Sequence, residues 1–203
     1  MKKQLTLSAI ILFVFSASMA FAQADASVVV KKITKSFRDK KNAEIVFDYH
    51  YEMDSTTKTE VQEGIAYLQG ESYKILQKEQ QTVCDGSTIW TYLIEEEEVV
   101  ISSTAVGDDN TPLKMLTSLD KYYTATFINS STIVLANPEG QFKLLFLTID
   151  PKKNTLKSIE YVANDGSKMI IDIKELKFEQ DLKDDFFTFD VKAHPEVDVI
   201  DMR

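Results

Sequence analysis

The sequence predicts a mainly β fold with a few α-helices, organised as one large antiparallel sheet, barrel or sandwich. Three observations lead there. Strand-like runs recur at about ten-residue spacing, near 60–69, 72–83, 88–94, 97–103, 122–128, 132–136, 141–149, 156–163, 168–178 and 186–191. Turn residues separate them: Asp85-Gly86, Asn129-Ser130, Asn137-Pro138-Glu139-Gly140, Asp150-Pro151 and Asn164-Asp165-Gly166. These supply positive φ or a preset φ, as antiparallel hairpins require. Finally, Ile45, Phe47, Tyr49 and Tyr51 alternate with Val46, Asp48, His50 and Glu52, the period of a half-buried strand.

The elements follow in order. Residues 1–22 read as a cleavable secretory signal peptide. Lys2 and Lys3 precede an apolar core from Leu5 to Phe15, and Ala20-Phe21-Ala22 is a small-x-small cleavage signature. Residues 23–203 read as a single exported domain. Asp25 caps a first helix with Val29, Val30, Ile33 and Phe37 on one side and Lys31, Lys32 and Lys35 on the other. In the middle of the strands, Thr111 and Pro112 open a short amphipathic helix with Leu113, Leu116 and Leu119 on one stripe and Met115 beside it. Such a helix either plugs the core or covers a cavity. Residues 142–149 and 168–173 are apolar at both strand parities, so their strands are covered on both faces or line an apolar cavity.

Composition narrows the function. Lys+Arg 23 against Asp+Glu 32 gives a net charge of −9, and signal cleavage removes two lysines and no acid. Arg38 and Arg203 are the only arginines, which argues against nucleic-acid binding. After residue 22 no apolar run reaches the roughly 18 residues of a spanning helix. Cys84, the only cysteine, has no disulfide partner within the chain and no basic neighbour in sequence to stabilise a thiolate.

Catalytic chemistry is sparse. His50 and His194 lack metal-ligand spacing, and no GxSxG elbow accompanies them. Glu95 to Glu98 read as a solvated hairpin tip, because consecutive carboxylates on a strand point to opposite faces. No phosphate-cradling loop is present, and no cofactor or metal is expected. What remains is aromatic and aliphatic surface on strands. It either fills a core or lines a lipid pocket beneath the helices.

Several motifs, in their order, resemble the outer-membrane lipoprotein carrier family (LolA-like). A helix leads into a strand over Asp25 to Tyr51, and Gly64-Ile65-Ala66-Tyr67-Leu68 opens the second strand. Tyr73-Lys74 is similar to the family's aromatic-basic pair. Asp85-Gly86-Ser87-Thr88-Ile89-Trp90-Thr91-Tyr92 is similar to its DGxxLWxY hairpin. Thr111-Pro112 with Leu113 and Leu116, Asn164-Asp165-Gly166-Ser167, and Phe187-Thr188-Phe189-Asp190 followed by Pro195 to Asp201 complete the series.

The resemblance implies an incomplete, half-open antiparallel β-barrel covered by short lid helices over an acyl cavity. It implies a non-enzymatic, monomeric carrier. Such a carrier takes lipoprotein acyl chains from an inner-membrane ABC lipoprotein-release transporter and passes them to an outer-membrane acceptor. The expected cavity residues are Ile45, Phe47, Tyr49, Tyr51, Tyr67, Trp90, Tyr92, Phe142, Phe146 and Ile171, with Leu113, Met115, Leu116 and Leu119 in the lid. Gln69-Gly70-Glu71 departs from the family by lacking the basic residue that helps to hold the lid in many members. Two other readings use the same sequence: an envelope sensor or interaction module on this fold, and a lipid hydrolase dependent on His50 or His194.

Overall fold

The computed structural model describes residues 26–53, 57–104, 113–138 and 142–203. The signal segment, Asp25, Thr111 and Pro112 lie outside the described residues. Helix α1 spans 26–38. The strands are β1 (Ala43–Glu52), β2 (Gln62–Gln69), β3 (Ser72–Gln77), β4 (Gln80–Cys84), β5 (Thr88–Leu93) and β6 (Glu98–Ser103), then β7 (Thr124–Phe127), β8 (Thr132–Ala136), β9 (Leu144–Asp150), β10 (Thr155–Val162), β11 (Lys168–Phe178) and β12 (Asp198–Asp201). Between β6 and β7 lie a 3-10 turn, Lys114–Thr117, and the short helix α2, Leu119–Tyr122.

All twelve strands form one open sheet in the order β12-β6-β5-β4-β3-β2-β1-β11-β10-β9-β8-β7. Every pairing is antiparallel except β12 on β6. The half-open β architecture therefore holds, with α1 and the 113–122 segment packed on one face. Central β1 carries the predicted alternation: Ala43, Ile45, Phe47 and Tyr49 are buried. Val30, Ile33 and Phe37 of α1 pack into the same cluster, with Val29 partly buried beside them.

Two departures from the sequence reading have local causes. The run 72–83 divides into β3 and β4 at Lys78-Glu79, a two-residue hairpin link without Gly, Asn or Pro to announce it. Residues 186–191 are no strand. They follow turns in which Phe186 N donates to Lys183 O and Thr188 N donates to Asp185 O. Their aromatics are fixed by side-chain packing instead. Phe186 meets Tyr67 edge-on at 4.8 Å, and Phe189 joins Val83, Val99 and Ile101 in a second, smaller core. The unpredicted β12 then returns along β6 as an exposed edge.

Gly64 is required by a close approach. It stands opposite Phe47 across β1 and β2, and a Cβ there would lie 2.5 Å from the Phe47 ring. Phe47 is 2% exposed, so its ring must shift within the core to admit a side chain at Gly64. Gly64→Ala is expected to lower unfolding stability by about 1–3 kcal/mol through overpacking. Urea unfolding checks this, and Phe47→Leu in the same chain should restore part of the loss.

Candidate functional site

The concave face of the sheet is a continuous apolar floor. Ile45, Phe47 and Tyr49 of β1 form its centre, flanked by Ala66, Leu68, Tyr73 and Ile75 on one side. On the other side Ile171, Ile159, Tyr161, Leu145, Leu147, Ile133 and Leu135 extend it. Tyr161 is 1% exposed, and burial pushes its phenol pKa up, with the charge of Tyr123 adding to the effect.

The floor is roofed by α1 and by residues 113–122. Leu113, Leu116 and Leu119 are at most 2% exposed, and Met115 packs beside them, partly buried. The expected single helix over 111–119 is instead a 3-10 turn followed by α2, with Ser118 at φ −139° between them. Leu113 caps the 3-10 turn, Leu116 lies within it and Leu119 opens α2, and all three side chains are buried against the floor. The floor is thus covered by the protein's own side chains.

The structure divides the expected cavity residues between two faces. Ile45, Phe47, Tyr49 and Ile171 lie in the concave floor, and Phe142 packs on Tyr161 with ring centroids 5.1 Å apart. Tyr51 shares the parity of Tyr49 and stands at the rim, 44% exposed. Tyr67, Trp90, Tyr92 and Phe146 have the opposite parity. Trp90 pairs with Val83 and Ile101, and Trp90 and Tyr92 pack in the smaller core on the convex side. Tyr67 lies beneath Phe186, and Phe146 sits between the concave residues Leu145 and Leu147 in sequence. Sequence reasoning passed over Leu145, Leu147, Tyr73 and Tyr161, because strands apolar at both parities conceal which set faces inward.

A polar clasp holds the roof. Arg38, at the end of α1, places Nη2 2.7 Å from Oδ2 of Asp120 in α2. The pair is partly buried, with side-chain exposures of 33% and 13%. Tyr123 donates its hydroxyl to the Phe142 carbonyl at 3.2 Å. A cavity of about 400 Å³ adjoins the clasp, bounded by Phe37, Arg38, Gly70, Glu71, Met115 and Tyr122. Arg38, Gly70 and Glu71 border this same corner. An Arg38 signal was present in its uniqueness among the helix residues, but its partner lies 82 positions away.

At the opposite end, where β1 stops, Tyr51, Phe142, Tyr161 and Met169 border an apolar slot of about 290 Å³. Lys168 stands at its edge and pairs with Glu160 at 2.6 Å. The two histidines lie apart from both openings. His50 Nε2 is 3.7 Å from Glu52, and His194 stacks on Phe189 with centroids 5.0 Å apart. Among the described residues no group of three His, Cys, Asp or Glu is disposed to hold a metal, and no helix is long and apolar enough to cross a membrane.

Comparison with known proteins follows this geometry. A family model described as outer membrane lipoprotein carrier protein LolA matches residues 76–190, more than half of the 203-residue chain. No curated protein matches the sequence. Among solved structures, the chain is similar to an uncharacterised conserved protein from Thermus thermophilus, at 12% identity and a TM-score of 0.54, covering 87% of this chain and 99% of that one. It is also similar to a LolA superfamily protein from Nitrosomonas europaea, at 10% identity and a TM-score of 0.46, covering 82% and 98%. A complex of MucA and MucB from Pseudomonas aeruginosa matches at 14% identity and a TM-score of 0.34, covering 83% and 62%. At these identities the likeness concerns the fold.

Arg38→Ala should free the roof selectively. Breaking a partly buried pair of this kind costs about 1 kcal/mol, between the exposed and buried extremes. Hydrogen exchange at 119–123 is expected to accelerate severalfold while the amides of β1 and β11 keep their protection. Equal acceleration at both places would remove the clasp from the account.

Proposed function

The chain belongs to the outer membrane lipoprotein carrier protein LolA family, and on that premise we propose that it is a periplasmic carrier for the acyl chains of lipoproteins or a related lipid. It takes them from an inner-membrane ABC transporter that releases lipoproteins and delivers them to an outer-membrane acceptor. One observation carries this reading: an unbroken apolar floor under a roof held at its corner by one partly buried ion pair. A permanent core needs no such detachable cover. An acyl chain that lifts Leu113, Leu116 and Leu119 from the floor finds the surface they leave.

The rest of the molecule is consistent with the role. The signal-like segment over 1–22 supports export, and an acidic surface keeps a grease-holding protein dispersed. Among the described residues Cys84 is buried, His50 lies near Glu52 and His194 near Glu196, and none of the three is placed as an activated nucleophile. Binding and release, with no bond made or broken, is what these side chains can do.

A fluorescent sixteen-carbon acyl probe tests the proposal. Saturable binding of about one probe site per chain is expected, with exclusion of the chain from water seen as a blue shift. No saturable binding by the folded protein would overturn the reading. Leu116→Ala provides the energetic check. It should lower the stability of the empty protein by about 2–5 kcal/mol and tighten probe binding, because less leucine surface must be displaced.

A further inference from the structure

Two polar side chains are buried among the described residues, Asn42 and Thr34, and the fold treats them differently. Asn42 is paired on both sides of its amide. Its Nδ2 donates to the Gln180 carbonyl at 2.9 Å, and its Oδ1 accepts from the Gln180 amide at 2.8 Å. Thr34 is 0% exposed, and its Oγ1 has no hydrogen-bond partner among the described residues. The carbonyl four residues earlier, the usual partner of a helical threonine, does not take its proton either. Thr34 lies four residues after Val30 and three before Phe37, both in the concave cluster, so it belongs to the face with which α1 covers the floor.

A second such oxygen sits at the clasp. Arg38, one turn after Thr34 on α1, donates from Nη2 to Asp120 Oδ2 at 2.7 Å. The other carboxylate oxygen, Asp120 Oδ1, is buried with no partner among the described residues. The closed roof therefore covers two unpaired oxygens, one on each of its helices. A buried polar group without a partner disfavours the state that buries it. The leucines, the Arg38–Asp120 pair and the Tyr123 hydroxyl on the Phe142 carbonyl act in the opposite sense.

We infer that Thr34 and Asp120 form a built-in counterweight to the roof: closing it strips both oxygens of water, opening it hydrates them, and the open state stays populated enough to admit an acyl chain. This device rests on the carrier reading and adds to it a control of access. Where only the open fraction accepts cargo, apparent affinity scales with that fraction. A threonine hydroxyl that makes no bond in the closed protein then contributes to loading by weakening the closed state.

Thr34→Val tests the counterweight, because valine keeps the shape of threonine and removes the hydroxyl. In the unaltered protein the amides of α1 and of 119–123 are expected to exchange faster than those of β1 and β11. In Thr34→Val the roof amides should slow about tenfold, and the fluorescent sixteen-carbon probe should bind about tenfold more weakly. Thr34→Ser keeps the hydroxyl and should neither slow the roof nor weaken the probe. A threonine with a merely structural role would raise the urea midpoint on conversion to valine and leave probe affinity where it was, which would overturn the inference. So would roof exchange that does not slow in Thr34→Val, a Thr34→Val protein less stable than the unaltered one, or a Thr34→Ser protein that behaves like Thr34→Val. If no form binds the probe while Thr34→Val still slows the roof, the carrier reading falls and the counterweight stands.

Discussion

The structure depends on one constraint: a twelve-stranded sheet that does not close has an apolar face that must be covered by something other than strands. A closed barrel removes its edges and surrounds its own interior. Here β7 and β12 are the ends of the sheet, and the interior is defined only when α1 and 113–122 lie on it. The cover is small, so its leucines must reach the floor. Leu113 at the head of the 3-10 turn, Leu116 within it and Leu119 at the start of α2 each do so. Besides the leucines, Met115, the Arg38–Asp120 pair and the Tyr123–Phe142 hydrogen bond tie the cover down.

The convex face is organised on different terms. Across β1 and β11, carboxylates and lysines face one another, with Asp48 on Lys174 and Glu44 on Lys177. These exposed pairs contribute little stability individually. They let the central strands tolerate water on that side while their other side is fully apolar. Across β4 to β6 the solution differs. The segment after β11 brings Phe189, Val191 and Val197 over Val83, Val99, Ile101, Trp90 and Tyr92, and β12 ties the segment to the edge. Lys74 fits between the two regimes. Its ammonium lies 5.0 Å from the Phe186 ring, and burial lowers its pKa, with Asp185 acting against the shift.

How much of this was legible depends on whether a signal was local. The alternation in β1 was local, and Ile45, Phe47 and Tyr49 are where it put them. So were the turns: Asp85, Asn129, Asp150 and Asp165 each accept backbone hydrogen bonds from residues two positions on, at the ends of the expected hairpins. The lid leucines were legible as a stripe, though not as two short elements. Facing was another matter for β5 and β9. Trp90 and Phe146 are the largest apolar residues of their strands, yet the concave face takes Ile89, Leu145 and Leu147. Trp90 turns outward because residues about 100 positions later arrive to cover it, and no periodicity within β5 records that arrival. Arg38 and Asp120 pose the same difficulty: each is an ordinary surface residue until α1 and α2 meet.

A filled interior and a carrier are compatible because filling sets the affinity. Burying a sixteen-carbon chain is worth on the order of 10 kcal/mol at roughly 0.8 kcal/mol per methylene. A rigid empty cavity would convert most of that into binding, and the cargo would never leave. On the carrier reading proposed above, a chain would gain the floor by displacing Leu113, Leu116 and Leu119, and each leucine returned to water costs about 1.5–3 kcal/mol. On that reading the exchange would leave a modest remainder, which would favour release of the cargo. Leucines displaced in that way would provide a surface that exists only in the loaded state. A fold whose cover is made of the same kind of grease as its cargo can therefore hold the cargo loosely, stay closed when empty, and differ between the two states in a way a partner can sense.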